Sequence, residues 1–573
     1  VPKLKDWAIR GVLTERPVYR KCTTYAATTP PVEYNRNYKV LQGSEFFEKG
    51  LITFPEEDQI RLPHQGVDGF YKTVFGWSVA HNGIINGDCN ANMQGALKDR
   101  LFAARGSREL DAAYRDAQRS FILHNPTFIS HIKNHIDLHF GAYSSMIQEC
   151  DEHHADPHKK KELRIQARGD LLAGTRHGLT IADRLWTSRA ACFLKKQEVA
   201  KPGKATRTVV DLSVAGSLQG FVLSKIMKYA LSELLDVEGP DGHTYGQILF
   251  CLKPEPSLLV DIFKNLIDPP TTAFVVLFSD DACYSCRRPD GSVFKCNLDL
   301  TKCDLSHTEA LFDLLIELTP DHAREDMRRL VEQCLLPLYI YDKNDRSNKV
   351  VVKPKCPVLY LGVTITTLIN NLALYLLSWS LFKSKASTPR EVIEAAAQVG
   401  YIITIVDCTD DYHKLQFLKH SPCMDTDGEL CAVLNLGVLC RSSGRTKGDL
   451  PGRKKDGLEL RARRFQNALL NGMYPRTHFE LKRRMLLSTC TADAKSIAVV
   501  KKMFEYKVDS DAKREHTIDD AELFARYDLT DGEIQEVNSL LGSCEYEQSV
   551  ASSGLDKILN ADYGLSCRYY EDT

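Results

Sequence analysis

The chain has 573 residues, with 74 Lys and Arg against 75 Asp and Glu, and a formal net charge of −1. That balance excludes a protein that coats nucleic acid by bulk charge, while leaving room for a local basic channel. With 43% apolar and 26% charged residues and 18 Cys, disordered, collagen-like and disulfide-scaffold chains are excluded as well.

At roughly 100–200 residues per domain, the length allows about three to five domains or one large enzyme. Val1 opens the chain without a charged-then-apolar leader, so secretion has no support and free, reduced thiols in a cytosolic protein are expected. With Val at position 1, a processed or trimmed product is the expectation. The first hundred residues are rich in Pro and aromatics, with Thr29-Pro30-Pro31, and read as irregular or extended.

Ser107–Met146 turns helical and carries His131, His135 and His139, with Cys150, His153, His154 and His158 soon after. Residues at i, i+4 and i+8 share a helix face and could ligate a metal. The Glu of His-Glu-x-x-His is missing, so packing or surface histidines are the favoured reading. Asp170–Lys228 mixes helix with a basic stretch, Thr271 onward is β-like, and Thr308–Leu318 and His322–Leu335 are helical. Pro357–Phe382 contains no charge, and an apolar helix is expected over Leu359–Phe382. It is long enough to cross a bilayer, but adjacent Asn370 and Asn371 would be costly in hydrocarbon, so a buried helix is expected.

Beyond Arg441 the charge splits. Arg441–Arg484 holds thirteen Lys/Arg against four Asp/Glu, whereas Asp509–Thr573 holds sixteen acids against five bases. Neutrality is a cancellation between opposed regions. No solenoid repeat and no phosphate-cradling Gly-x4-Gly-Lys-Ser/Thr loop occur.

The strongest local signal lies between Thr271 and Ser306. Thr272–Phe278 is a β-branched and aromatic strand ending at Ser279-Asp280-Asp281. A second run, Ala282–Arg288, leads into Pro289-Asp290-Gly291, which is turn chemistry. A third, Ser292–Leu300, delivers Asp299, with Asp304 following. A two-residue loop at Pro289-Asp290 would place Arg288 opposite Gly291 and Asp280 opposite Asp299; a bulge or longer loop would move the pairing by one. Like charges directly opposite are destabilising, so convergent carboxylates suit a hard Mg²⁺ or Mn²⁺. Two such ions would activate an attacking hydroxyl and stabilise a leaving oxygen. A solvated acidic hairpin is the plainer alternative. Cys283, Cys286, Cys296 and Cys303 superficially match a zinc ribbon, but Cys283 and Cys286 sit an odd number apart on a strand and so face opposite ways.

These residues resemble the motifs of viral RNA-dependent RNA polymerases. Phe278-Ser-Asp-Asp281 is similar to motif C, Asp299-Leu-Thr-Lys-Cys-Asp304-Leu-Ser306 to motif A, and Gly362-Val-Thr-Ile-Thr366-Thr-Leu-Ile-Asn370 to motif B. Leu361 stands where the family usually has Ser before that Gly. The order C–A–B matches the internally permuted polymerases of permutotetraviruses and birnaviruses. Ser-Asp-Asp in place of Ala-Asp-Asn leans toward the permutotetravirus-like side. Lys195-Lys-Gln-Glu198 with Lys201, Lys204 and Arg207 looks like motif F, Val392–Ile405 like motif D, and Phe417-Leu-Lys-His420 like motif E.

The resemblance implies an α+β closed right hand. It comprises an N-terminal extension over 1–110, fingers over 111–270, and a permuted antiparallel palm over 271–425 with a fingers-type insertion near 310–355. A mainly helical thumb and acidic region span 426–573. It implies a two-metal Mg²⁺ or Mn²⁺ site on Asp280, Asp281 and Asp299, with Asp280 and Asp299 the principal ligands. Asp304, Thr366 and Asn370 would face the ribose, Gly362 would sit in the nucleotide-binding loop, and Lys204 and Arg207 would hold the triphosphate. The implied partners are RNA template and product, NTPs, and a protein or self primer, with no transmembrane segment. The implied location is the host cytoplasm, with a virion or a membrane-associated replication complex also compatible. For the motif D general acid no secure equivalent is found, although His413 and Lys414 lie near the region. The basic 441–484 segment would suit a thumb gripping phosphates. Two other classes compete: another palm-type nucleotidyltransferase, such as a reverse transcriptase or terminal transferase, and a non-catalytic RNA-binding viral protein.

Overall fold

The computed structural model describes residues 19–20, 38–43, 70–72, 78–79, 85–102, 107–141, 189–195, 198, 204–252, 254, 256–442, 445–447, short runs between 453 and 468, 493–503, 518–543 and 549–564. The elements that position the site begin with β1 (Tyr38–Gln42), α1 (Arg108–His124), α2 (Pro126–His139), β2 (Ala190–Leu194), β3 (Thr208–Asp211) and α3 (Ser213–Ser232). Next come β4 (Leu235–Glu238), β5 (Thr244–Phe250), α4 (Pro256–Ile267), β6 (Ala273–Phe278), β7 (Asp281–Arg287) and β8 (Val293–Leu300). They continue with α5 (Glu309–Leu318), α6 (Asp321–Glu332), β9 (Leu338–Tyr341), β10 (Lys349–Pro354), α7 (Thr366–Ser384), α8 (Pro389–Gln398) and β11 (Ile403–Thr409). Strands β12 (His420–Met424) and β13 (Leu430–Leu434) and helices α9 (Asp520–Phe524), α10 (Asp531–Ser543) and α11 (Ser553–Tyr563) follow. The fold is a mixed α+β arrangement.

Six strands form the central sheet in the order β11-β8-β7-β6-β5-β4. All neighbours are antiparallel except β5 and β6, which run parallel. The apolar run 273–277 is buried on both faces, which is why it reads as continuous rather than alternating. Phe274 and Val276 meet Leu259, Ile262, Phe263 and Leu266 of α4. Val275 and Leu277 belong to the larger core with α7. A second sheet runs β1-β10-β9-β2-β3, so strands 338–354, which follow the hairpin in sequence, join strands that precede it.

Helix α7 is buried on every side, from Leu368 through Phe382. Its buried serines are paired: Ser378 Oγ donates to Leu374 O at 2.6 Å and Ser380 Oγ to Ala395 O at 2.8 Å. Among the described residues no helix is long and apolar enough to cross a membrane. The helix starts at Thr366, seven residues after the expected Leu359. The reason is local: Leu361 O accepts from Val210 N at 2.8 Å, and Gly362 has φ +109°, so this stretch pairs with β3 and cannot be helical. Helix α8 follows the rules for a helix start. Thr388 caps it by accepting from Glu391 N at 3.3 Å, with Pro389 in the first turn.

The described part of the acidic region is mainly helical. α9, α10 and α11 bury Leu523, Phe524, Val537, Leu555 and Leu559 against Cys423 and Val433 of the β12–β13 hairpin.

Candidate active site

The β7–β8 turn corrects the expected register. Pro289-Asp290-Gly291 is a three-residue loop: Gly291 N donates to Arg288 O at 2.9 Å, and Arg288 N to Ser292 O at 2.8 Å. Gly291 takes φ +84°, the left-handed position such loops need. The extra residue shifts the pairing by one, so Asp281 and not Asp280 lies opposite Asp299. Directly paired residues sit about 5 Å apart at Cα, and the two carboxylates share a face. Asp280 occupies the turn between β6 and β7, where Phe278 pairs with Asp281.

That turn is held from α7. Ser279 has φ +56°, an uncommon conformation for a residue with a Cβ. Its N–H donates to Asn371 Oδ1 at 2.7 Å, and its hydroxyl accepts from Asn370 Nδ2 at 3.2 Å. The adjacent Asn pair that argued against a membrane span thus braces the acidic turn.

The carboxylates are coupled. Burial pushes Asp281 up to about 6, with Asp280 and Asp299 adding to it, while the Leu418 N–H at 3.1 Å and Lys419 oppose it. Burial and then Asp280 raise Asp299, against which Lys204 acts. Burial and then Asp280 push Asp304 up to about 6, with Asn370, Arg207 and Arg100 opposing. Asp280, exposed like Asp299, therefore acts on three other carboxylates, and cations arriving from outside the hairpin partly compensate them. Among the described residues no three His, Cys, Asp or Glu side chains converge as a metal-holding set on their own. A hard cation here would need phosphate and water oxygens to complete its shell, as Mg²⁺ ordinarily does.

Asn370 Nδ2 reaches Asp304 Oδ1 at 3.5 Å. Thr366, one turn earlier, donates its hydroxyl to Val363 O at 2.7 Å, so it can offer a ligand only an acceptor. A Cβ on Gly362 would lie 2.4 Å from Val210 O. Gly362→Ala combines that clash with a positive φ and is expected to cost about 3 kcal/mol in urea denaturation. Arg207 is ion-paired with Glu198 at 2.5 Å.

Sequence reading missed Arg100, whose guanidinium donates to Ala205 O at 3.2 Å beside the basic stretch. It also missed His307 and the bracing role of Asn371. Among these, only His307 carried a local signal, following Asp304 at three residues. Cys283 packs with α4 whereas Cys286, Cys296 and Cys303 join the other core, as the odd spacing requires. His131 contacts Asp236 O at 2.6 Å, and the His135 and His139 rings lie 4.8 Å apart. Positions 150–158 lie outside the described residues, as does most of 441–484; within the latter Arg464 pairs with Asp456 at 3.0 Å.

His413 and Lys414 are committed elsewhere. Lys414 Nζ bonds Arg526 O and Asp528; His413 bonds Asp411 at 2.6 Å and Glu522 at 2.8 Å. Burial would raise the Glu522 carboxyl, but Met424 N–H, His413 and the Tyr412 hydroxyl outweigh it and hold it below its ordinary value. A depressed carboxylate stabilises above its unfolded pKa and loses that contribution as pH falls through the folded one. Glu522→Gln is therefore expected to destabilise by about 1 kcal/mol at pH 7 and by much less at pH 3.5. Denaturant midpoints at the two pH values check this.

No family model matches the chain, and no curated protein does. Among solved structures it is similar to the RNA polymerase VP1 from infectious pancreatic necrosis virus. That match has TM-score 0.40 and 13% identity, covering 72% of this chain and 64% of that one. It is also similar to a birnavirus VP1–VP3 complex, with TM-score 0.39 and 13% identity, covering 70% of this chain and 63% of that one. The chain thus spans just under two thirds of the length of either solved chain.

Proposed function

We propose that this protein copies an RNA template into RNA by nucleotidyl transfer, with the β6–β7–β8 hairpins as its catalytic centre. The observation that carries the reading is the strand register, which sets Asp281 directly opposite Asp299 with Asp280 in the adjoining turn. Asp280 acts on Asp281, Asp299 and Asp304, while Lys204 acts on Asp299, and Arg207 and Arg100 act on Asp304. Carboxylates that repel one another, faced by cations, suit a site completed by a metal–triphosphate.

In this reading the six-stranded sheet is a palm in permuted order. The motif C hairpin runs straight into the motif A strand through Pro289–Gly291. The β1-β10-β9-β2-β3 sheet belongs to the fingers of a closed right hand, with the insertion near 310–355 contributing two of its strands. The palm covers 271–425 and takes in β4 and β5 from the fingers range 111–270, the fingers sheet takes in β1 from the extension 1–110, and a thumb with the acidic region covers 426–573.

The donor set fits Mg²⁺ or Mn²⁺, since Asp280, Asp281 and Asp299 offer only oxygen. When bound there, such ions supply activation of the primer 3′-hydroxyl and stabilisation of the leaving oxygen. The 3′-hydroxyl gives its proton to solvent and attacks the α-phosphate, a new P–O bond forms, and the bond from the α-phosphorus to the bridging oxygen breaks to release pyrophosphate. Lys204 and Arg207 hold the triphosphate, and pre-placed charge of this kind is most of what phosphoryl transfer asks of a protein. Asp304 and Asn370 face the ribose and read its 2′-hydroxyl, the group that marks RNA precursors.

Primer extension on a defined RNA template, with Mg²⁺ or Mn²⁺ and with NTPs or dNTPs, tests this. NTP-dependent, cation-dependent extension is expected. Preferential dNTP use would favour a reverse transcriptase, extension without template a terminal transferase, and RNA binding without extension a non-catalytic role.

A further inference from the structure

Behind Asn370 lies a buried polar chain that the proposed reaction does not use. His307 is 4% exposed and follows the short helix Cys303–Ser306 that carries Asp304. Its Nδ1 lies 2.9 Å from the Tyr401 hydroxyl and its Nε2 2.8 Å from Asn370 Oδ1. Asn370, 3% exposed, points its Nδ2 at Ser279 Oγ and Asp304 Oδ1. The Cys303 thiol also approaches Asn370 Oδ1, at 3.5 Å.

Donors and acceptors along this chain agree in one direction only. Neutral imidazole has one N–H and one lone-pair nitrogen. If the Tyr401 hydroxyl donates to Nδ1, then His307 Nε2–H donates to Asn370 Oδ1. The amide then turns its N–H groups to the Asp304 carboxylate and the Ser279 hydroxyl. The reverse tautomer needs a donor from Asn370 toward His307, which rotates the amide and sets its oxygen against the Asp304 carboxylate, two acceptors face to face. The carboxylate selects the first arrangement, and the Cys303 thiol, 3.5 Å from Asn370 Oδ1 and 3.8 Å from His307 Nε2, accommodates it. A bare asparagine could flip its amide, whereas this one is keyed from behind.

We infer that His307, held by Tyr401, is a positioning residue that fixes the Asn370 amide toward Asp304 and thereby sets discrimination between ribo- and deoxyribonucleotides. The inference rests on the polymerase reading, because it concerns how Asp304 and Asn370 read the ribose. It predicts an effect at the 2′-position alone. A general packing defect would slow every substrate alike.

The test compares wild type with His307→Phe, Tyr401→Phe and His307→Gln. On one RNA template, kcat/KM is measured for an NTP, its 2′-deoxy analogue and its 3′-deoxy analogue. His307→Phe is expected to lower the NTP to 2′-deoxy preference about tenfold, the size of one lost buried hydrogen bond, with the NTP to 3′-deoxy ratio unchanged. Tyr401→Phe, which removes a single oxygen, should move the same ratio in the same direction by less. His307→Gln, whose carboxamide N–H can replace Nε2–H, should recover part of it. Equal loss on all three substrates, or an unchanged 2′-deoxy ratio in both His307→Phe and Tyr401→Phe, overturns the inference while leaving the polymerase reading intact. A wild type that extends no primer on any template sinks that reading itself, and the inference with it.

Discussion

Asp280→Asn and Asp299→Asn should each lower templated nucleotide incorporation on the order of 10³-fold, because in the proposed reading each removes a carboxylate that would hold the cations stabilising the transferring phosphate. The double variant should be little worse than either single one, since residues that act as one unit do not add. The same changes should not harm the fold. Asp280 raises Asp281, Asp299 and Asp304 by repulsion, so deleting its charge relieves the hairpin. The melting temperature of Asp280→Asn is expected to stay level or rise by a few degrees, as is common where a site stores unfavourable charge for function. Single-turnover incorporation and a thermal melt on the same preparations separate the two effects. A variant that loses activity only in proportion to its fold would contradict the assignment.

The second large effect lies outside the hairpin. Arg526 and Asp562 form an ion pair at 3.3 Å with side chains 6% and 0% exposed. Asp562 Oδ2 also accepts from Gly437 N at 2.7 Å and from the Tyr527 hydroxyl at 2.9 Å. Arg526 donates to Lys414 O at 2.9 Å and to Gln416 Oε1 at 2.7 Å. Every charge-bearing oxygen and most guanidinium nitrogens are thus paired, the condition under which a buried ion pair is tolerated. Removing one partner strands the other, so Arg526→Ala or Asp562→Ala should each cost about 3–5 kcal/mol. The double variant should cost clearly less than the two losses combined. Urea denaturation of the four proteins measures this. The damage should also travel. Gln416 N donates to Asn297 Oδ1 at 3.0 Å, two residues before Asp299, and Leu418 N holds Asp281. The acidic C-terminal helices therefore stand behind the Asp281–Asp299 hairpin.

Much of the site was legible because its signals are local. The 273–278 strand, the Ser279-Asp280-Asp281 turn, the Pro289–Gly291 turn and the buried 366–384 helix all follow from adjacent residues. Register was not legible, because one left-handed glycine decides whether the loop holds two residues or three. The helix start was obscured by Gly362, whose conformation depends on a strand more than 150 residues earlier. Arg100 at Ala205 O, Asn371 at Ser279 and Asp562 at Gly437 are pairings across long stretches of chain, and no spacing rule reaches them.

The most direct measurement is extension of a labelled primer on a heteropolymeric RNA template with one NTP withheld at a time. The account predicts that wild type arrests one position before each templated partner of the missing nucleotide, and that Asp280→Asn and Asp299→Asn extend on the order of 10³-fold more slowly. Arrest positions that ignore the template, or full extension by both variants, would contradict it.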